Sequence, residues 1–234
     1  MLVILKRGGI LFLALLVIVS FLIFTLRKEP TVKTAAEGGE IILVDAGHGA
    51  PDGGAVGAKT GVLEKDLNLS ISGKLAALLR EAGENVLETR QDDSGLFTRE
   101  DASLREKKRE DMKERVRLTE KEGVSLFVSI HMNHFTDPRY SGPQIFYQKG
   151  SEDGKRLAEE IRSSFLSEIG PHCTRETKPT SDLYVLRQTK VPAVIIECGF
   201  LSNPEEEALL QDEAYQEKLA VAILHGIQNF KTKA

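Results

Sequence analysis

The sequence predicts an α/β fold: a single domain on a largely parallel or mixed central sheet flanked by helices, preceded by an N-terminal transmembrane or signal segment. Three observations predict it. Short continuous apolar runs recur at residues 41–44, 124–130 and 193–196, as in strands buried on both faces. Segments of helical periodicity separate them, and such alternation implies helices layered on a parallel sheet. Residues able to carry chemistry stand just past the ends of those runs, where open α/β sheets bind their ligands.

The first segment differs from the rest. Residues 8–26 carry no charge, with Lys6 and Arg7 before them and Arg27 and Lys28 after. About 17–25 apolar residues cross a hydrocarbon core as a helix, whereas the apolar core of a signal peptide is about 7–15. The length favours an uncleaved anchor over residues 1–28. Thr34-Ala35-Ala36 leaves cleavage as the alternative. Residues 29–40 read as a polar linker, and residues 41–234 as the folded domain.

Within that domain, residues 41–44 predict the first strand. Leu67, Ile71, Leu75, Leu78, Leu79 and Ala82 fall at helical spacing, with Gly83 placed to end the helix. Residues 85–89 read as a short strand. Residues 99–122 hold nine basic and eight acidic side chains, which predicts an exposed, ion-paired helix with Leu104, Met112, Val116 and Leu118 as its apolar contacts. Strands are expected at 124–130, 144–147, 183–186 and 193–196, with a helix over 150–166. Asn203-Pro204-Glu205-Glu206 starts a helix: Asn caps, Pro fits the first turn, and acids suit the dipole. Residues 214–230 form the last amphipathic helix.

Composition excludes several classes of function. The 234 residues carry 31 basic and 35 acidic side chains, net charge −4, so there is no excess of cations to neutralise phosphates, and nucleic acid is excluded as a partner. With no Trp and 6% aromatics, no base-stacking platform is expected. Two cysteines make no disulfide scaffold.

The chemistry gathers at four places. Strand ends lead into Asp45-Ala46-Gly47-His48-Gly49, into Ser129-Ile130-His131-Met132-Asn133-His134, and into Glu197-Cys198-Gly199, while Glu64 stands at a helix start. Singly, each is an ordinary capping or structural residue. Together they fit a catalytic zinc centre of two imidazoles and a carboxylate with a fourth position for water. No H-E-x-x-H helix motif is present.

These blocks, with Asp52-Gly53-Gly54-Ala55, Gly61-Val62-Leu63-Glu64-Lys65-Asp66, Thr89-Arg90 and residues 193–203, resemble the zinc-dependent N-acetylmuramoyl-L-alanine amidases of bacterial cell walls. The resemblance spans about residues 41–230. It implies His48, Glu64 and His131 as ligands of one Zn2+ per chain and Glu197 as the catalytic carboxylate. Ala46 replaces the proline common in the family and leaves the ligand beside it untouched. The implied substrate is peptidoglycan, cut between the lactyl group of N-acetylmuramic acid and the first L-alanine of the stem peptide. A short anchored chain without wall-binding repeats is most similar to the germination-specific, spore-cortex branch, which prepares muramic δ-lactam. The implied location is extracytoplasmic, at a membrane through the N-terminal segment. An activator protein or a homodimer stays open. The competing readings are an inactive amidase fold kept for wall binding or regulation, and a zinc peptidase acting within the stem peptide.

Other residues carry weaker expectations. Asn133, Arg90 and Arg187 are candidates for substrate binding, the two arginines by forked pairing with a carboxylate or, equally, as ordinary salt bridges. His134 is expected to turn away from His131 by the period-two rule. His172 and His225 read as surface or packing histidines. Cys198 reads as a small buried hydrophobe, and pairing with Cys173 is left open.

Overall fold

The structure, a computed structural model, describes residues 39–171 and 173–233, all within a compact unit spanning Ala35–Ala234. The uncharged run at 8–26, most of the linker after it and His172 lie outside the described residues. Among the described residues, no helix is long and apolar enough to cross a membrane.

The described strands are β1 (Ile41–Ala46), β2 (Asn85–Glu88), β3 (Val124–Asn133), β4 (Gln144–Gln148), β5 (Lys178–Thr180) and β6 (Ala193–Phe200). The helices are α1 (Glu64–Glu81), α2 (Leu104–Thr119), α3 (Glu152–Glu168), α4 (Tyr184–Gln188), α5 (Pro204–Leu210) and α6 (Glu213–Thr232). The strands form one sheet in the order β2-β1-β3-β6-β4-β5. All pairs are parallel except β4 with β6, so the sheet is mixed.

Side-chain alternation divides the core into two layers. Ile42, Val44, Val128, Ile130, Val194 and Ile196 pack with α1, α3 and α6 on one face. Leu43, Phe127, Ala193 and Ile195 pack with α2 and α4 on the other. The expected helix ends are present. Gly83 follows Ala82, the residue that ends α1, with φ 90°, and Asn203 accepts from the backbone of Glu205 and Glu206 with Pro204 behind it.

Four expectations need correction. Residues 183–186 were expected as a strand and form α4; a four-residue apolar run suits either element, and here it lays Val185 and Leu186 against the sheet. The sequence reading also lacked β5, Lys-Pro-Thr, which is too short and polar to announce itself; Lys and Pro suit the sheet edge it occupies. The charged helix starts at Leu104, where Ser103 and Glu106 form a reciprocal cap. Finally, its inner face carries Arg115, Leu118 and Thr119, whereas Leu104 and Met112 are exposed.

Candidate metal centre and catalytic carboxylate

The site sits at the carboxyl edge of the parallel strands, and the register of β3 with β6 sets half of it. His131 is directly opposite Glu197, so both project to the same face of the sheet. Asn133, two residues on, keeps that face. Glu64 is the first residue of α1, and no side chain caps that helix. Its carboxylate is instead fixed by backbone donors: Ala55 N reaches Oε2 at 2.7 Å and Met132 N reaches Oε1 at 3.1 Å.

His48 arrives differently. It follows β1 in a turn where its own φ is 62°, a left-handed conformation that costs a side-chain-bearing residue roughly 1–2 kcal/mol. Polar groups hold the turn. Arg115 donates to Ala46 O at 3.0 Å and to His48 O at 2.6 Å. Arg90 donates to Ala46 O and Gly47 O, both at 3.0 Å, to Lys65 O at 2.8 Å and to Asp92 O at 2.8 Å. Asp45, nearly inaccessible to solvent, accepts from Arg115, Ser129 and Thr89. Although burial opposes its ionisation, Arg115 and the two hydroxyls hold its carboxyl below the usual range. On the imidazole itself, Nδ1 lies 2.9 Å from Asp52 Oδ2, which leaves Nε2 pointing into the site.

There the donors converge. Glu64 Oε1 is 3.1 Å from His48 Nε2 and 2.9 Å from His131 Nδ1, and the three residues offer ligand atoms all within 4.8 Å of one another. The backbone is shaped around them. A Cβ on Gly47 would lie 2.2 Å from the His131 ring, and one on Gly54, whose φ is 70°, would lie 2.5 Å from the Glu64 carboxylate. Burial opposes charge on His48 and Glu64, but the contacts of Glu64 with His131 and His48, and of His48 with Asp52, prevail. The His48 imidazole is pushed up to about 9, and the Glu64 and Asp52 carboxyls sit well below their usual range. A buried carboxylate with two imidazoles turned toward it fits a divalent cation, whose binding displaces the proton from His48. Two imidazole nitrogens and one carboxylate oxygen are the donor set of a catalytic zinc that keeps one position open. Asp52 behind His48 is the carboxylate–histidine arrangement that fixes the tautomer of a ligand.

Glu197 is the exception. Its Oε2 is buried with no hydrogen-bond partner. Burial pushes its carboxyl up to about 7, the neighbouring Glu64 charge adding to that and the histidines working against it. A carboxylate kept beside a cation site yet bonded to nothing is placed to move a proton.

The structure thus brings His48, Glu64, His131 and Glu197 together, with Asn133 on their face. It places the other candidates elsewhere. Arg90 is buried with its guanidinium spent on backbone carbonyls beneath the turn, so it shapes the loop and offers no fork to a substrate. Arg187 donates to Ser181 O at 2.7 Å and stands in α4, the short helix that leads into the amino end of β6, the opposite edge of the sheet from Glu197. His134 lies exposed past the end of β3, and His225 pairs with Glu168 at 2.8 Å. Cys173 and Cys198 are buried and unpaired. Asp45, Asp52 and Arg115 are functional residues to which the sequence reading assigned no role. Asp52 carried a signal, four residues after His48 in a glycine-rich turn. Arg115 carried none, being one of seventeen charges in the same stretch.

A sequence model described as N-acetylmuramoyl-L-alanine amidase matches residues 42–229. The chain is 36% identical over 195 residues to the germination-specific N-acetylmuramoyl-L-alanine amidase of Bacillus subtilis, covering 83% of this chain and 81% of that one. Among solved structures, it is similar to the CwlD amidase from Clostridioides difficile, determined in complex with the GerS lipoprotein. The TM-score is 0.81 at 41% identity, with 83% of this chain and all of that chain covered. An N-acetylmuramoyl-L-alanine amidase from Clostridium difficile 630 matches at TM-score 0.73 and 30% identity, covering 83% of this chain and 98% of that chain.

Proposed function

The chain belongs to the N-acetylmuramoyl-L-alanine amidase family, and from that premise we propose that it is a zinc-dependent hydrolase acting on the bond between the lactyl group of muramic acid and L-alanine. His48, Glu64 and His131 hold the ion. The observation that carries this reading is the pairing of His131 with an unpartnered Glu197 across neighbouring strands.

Zinc bound there supplies Lewis acidity, acidifying water and polarising an amide carbonyl. The chain's own residues do the rest. Glu197, as carboxylate, takes a proton from the attacking water as its oxygen bonds to the carbonyl carbon. It returns that proton to the departing nitrogen as the C–N bond breaks. The products are a lactyl carboxylate and a stem peptide with a free amine. Asp52 holds His48 in the tautomer that presents Nε2, and Asn133 faces the cleft as a substrate contact.

The similarity to a germination-specific amidase supports a role in the spore cortex, on the route to muramic δ-lactam. The uncharged run at 8–26 supports attachment to the outer face of a membrane. The lipoprotein bound to the Clostridioides difficile amidase supports an accessory protein as partner.

Incubating the zinc-loaded chain with purified peptidoglycan and identifying the released ends by mass spectrometry tests the reading. Stem peptides beginning at L-alanine, and glycan with bare lactyl groups, are expected. Cleavage within the stem peptide identifies a peptidase instead, and no cleavage by the zinc-loaded chain, alone or together with its accessory protein, overturns the reading.

A further inference from the structure

Two consecutive acids of α5, Glu206 and Glu207, are buried, Glu207 completely. A buried carboxylate is costly unless its oxygens are paired, and both of these accept from backbone donors. Glu206 accepts from Phe200 N at 2.8 Å and from Gly142 N at 2.7 Å. Glu207 reaches a loop far earlier in the chain. Its Oε2 accepts from Lys59 N at 2.7 Å, and its Oε1 from Thr60 N at 2.7 Å and from Thr60 Oγ1 at 2.6 Å.

Those three donors lead to the metal centre. Lys59 and Thr60 form the tip of an antiparallel loop between Gly53 and Lys65. Along it, Gly57 N bonds to Val62 O at 2.8 Å, Val56 pairs with Leu63, and Glu64 N bonds to Ala55 O at 2.9 Å. Ala55 N then donates to Glu64 Oε2 at 2.7 Å. Glu64 opens α1 without a side-chain cap, so this loop fixes its main chain and one of its two carboxylate oxygens. Oε2 is tied to the loop, and Oε1 is left facing His48 and His131. A two-stranded loop of this size is barely stable alone. Its tip is secured from outside, by Glu207 and by Ala58 N on Leu201 O at 3.0 Å.

We propose that Glu207 is a positioning residue for the metal ligand Glu64. By anchoring the tip of the loop, it holds Ala55 N against Oε2 and so presents Oε1 to the cation. The inference rests on the zinc reading of the site above and adds a residue outside the site that sets the orientation of one ligand. It also ties two halves of the centre together. Only residues 201–203 separate α5 from β6, so one short stretch of chain carries Glu197 and, through Glu207, steadies Glu64. Both Glu207 oxygens accept from backbone N–H groups. An amide has one acceptor oxygen and an NH2 that opposes such a donor, so Glu207→Gln removes the anchor at nearly constant size.

The test measures zinc affinity of the full chain by competition with a chromogenic chelator, well below the melting temperature of each metal-free variant. Glu207→Gln is expected to weaken zinc binding about 10–100-fold, as loss of the support behind a ligand does. Thr60→Ala removes one of the three donors at an exposed position, where folding is not at stake, and is expected to weaken binding by less in the same direction. Glu206→Gln is the control. It also leaves buried donors unpaired, but these belong to Phe200 and Gly142, so the melting temperature should fall while zinc affinity keeps its parental value. If Glu207 only stabilises the fold, Glu207→Gln lowers the melting temperature and binds zinc as the parent does. That result, or equal losses of zinc affinity in Glu206→Gln and Glu207→Gln, overturns the inference. Should Glu207→Gln not fold, parental zinc affinity in Thr60→Ala overturns it. A parent chain that binds no zinc overturns the metal-centre reading itself, and this inference with it.

Discussion

His48 and His131 point at the same Glu64 oxygen, yet the protein places them by different means. His131 stands on a regular strand of a buried parallel sheet. Its direction follows from pleat and register, and the same register delivers Glu197 beside it. His48 stands in a left-handed turn held by Arg115, Arg90, Asp52 and the Asp45 cluster. One imidazole is positioned by repetitive backbone geometry and the other by a dedicated polar network. The network is the more fragile arrangement, because each buried charge in it depends on a partner.

The largest effect is therefore expected behind His48. Arg115→Met leaves Asp45 ionised without its cation in the interior, and breaking such a pair costs about 3–5 kcal/mol. A denaturant midpoint at neutral pH measures it. Adding Asp45→Asn should recover much of the loss, since the residual penalty belongs to the stranded charge. The pH dependence has a sign. In the parent, the Asp45 carboxyl lies below its unfolded value, so its contribution is present above about pH 3.9 and is lost as pH falls through the folded value. In Arg115→Met, burial dominates and raises that carboxyl, so its charge destabilises at neutral pH and protonation relieves it. The gap between parent and variant should narrow on acidification. A gap that widens would show that Asp45 is not the group responsible.

Gly47→Ala joins the two regions. The new Cβ would stand 2.2 Å from His131, so the strand-borne ring must move although nothing on its own strand has changed. A loss of about 1–3 kcal/mol in stability is expected from overpacking. Zinc affinity should fall roughly 10–100-fold, as when the support of a ligand is disturbed. Competition with a chromogenic chelator measures the affinity, and parental binding would mean that His131 is not a ligand.

The sheet half of the site was legible in the sequence because it follows periodicity. Buried strands show as apolar runs, and polar residues at their ends mark the carboxyl edge, which singles out His131 and Glu197. His48 and Glu64 were legible through residue type and motif. The support for His48 was not. Arg115 belongs to a helix whose composition reads as solvated throughout, and only tertiary packing shows which of its charges turns inward. Arg90 was legible as a fork, for a substrate carboxylate or equally for a salt bridge, and the sequence does not reveal that carbonyls of the His48 turn occupy it instead. The same limit turned residues 183–186 into a strand.

Arg187→Ala is the smallest expected change. The side chain is tied to a carbonyl of the loop before its own short helix, at the other end of β6 from Glu197. Stability should stay within about 0.5 kcal/mol of the parent and turnover should be unaffected. A rise in KM would restore it as a substrate contact.

The central claim is that Glu197 performs chemistry beside a cation that it does not bind, and Glu197→Gln tests it most directly. The substitution keeps size and hydrogen bonding and removes the base. Turnover on peptidoglycan should drop by about 100–10,000-fold, while zinc content and melting temperature stay near those of the parent. In the parent, the base works only when ionised. Its carboxyl is raised to about 7 and a neighbouring cation lowers it, so activity should rise with pH through a limb at or below about 7. Near-parental turnover in Glu197→Gln, or loss of zinc together with activity, would contradict the account.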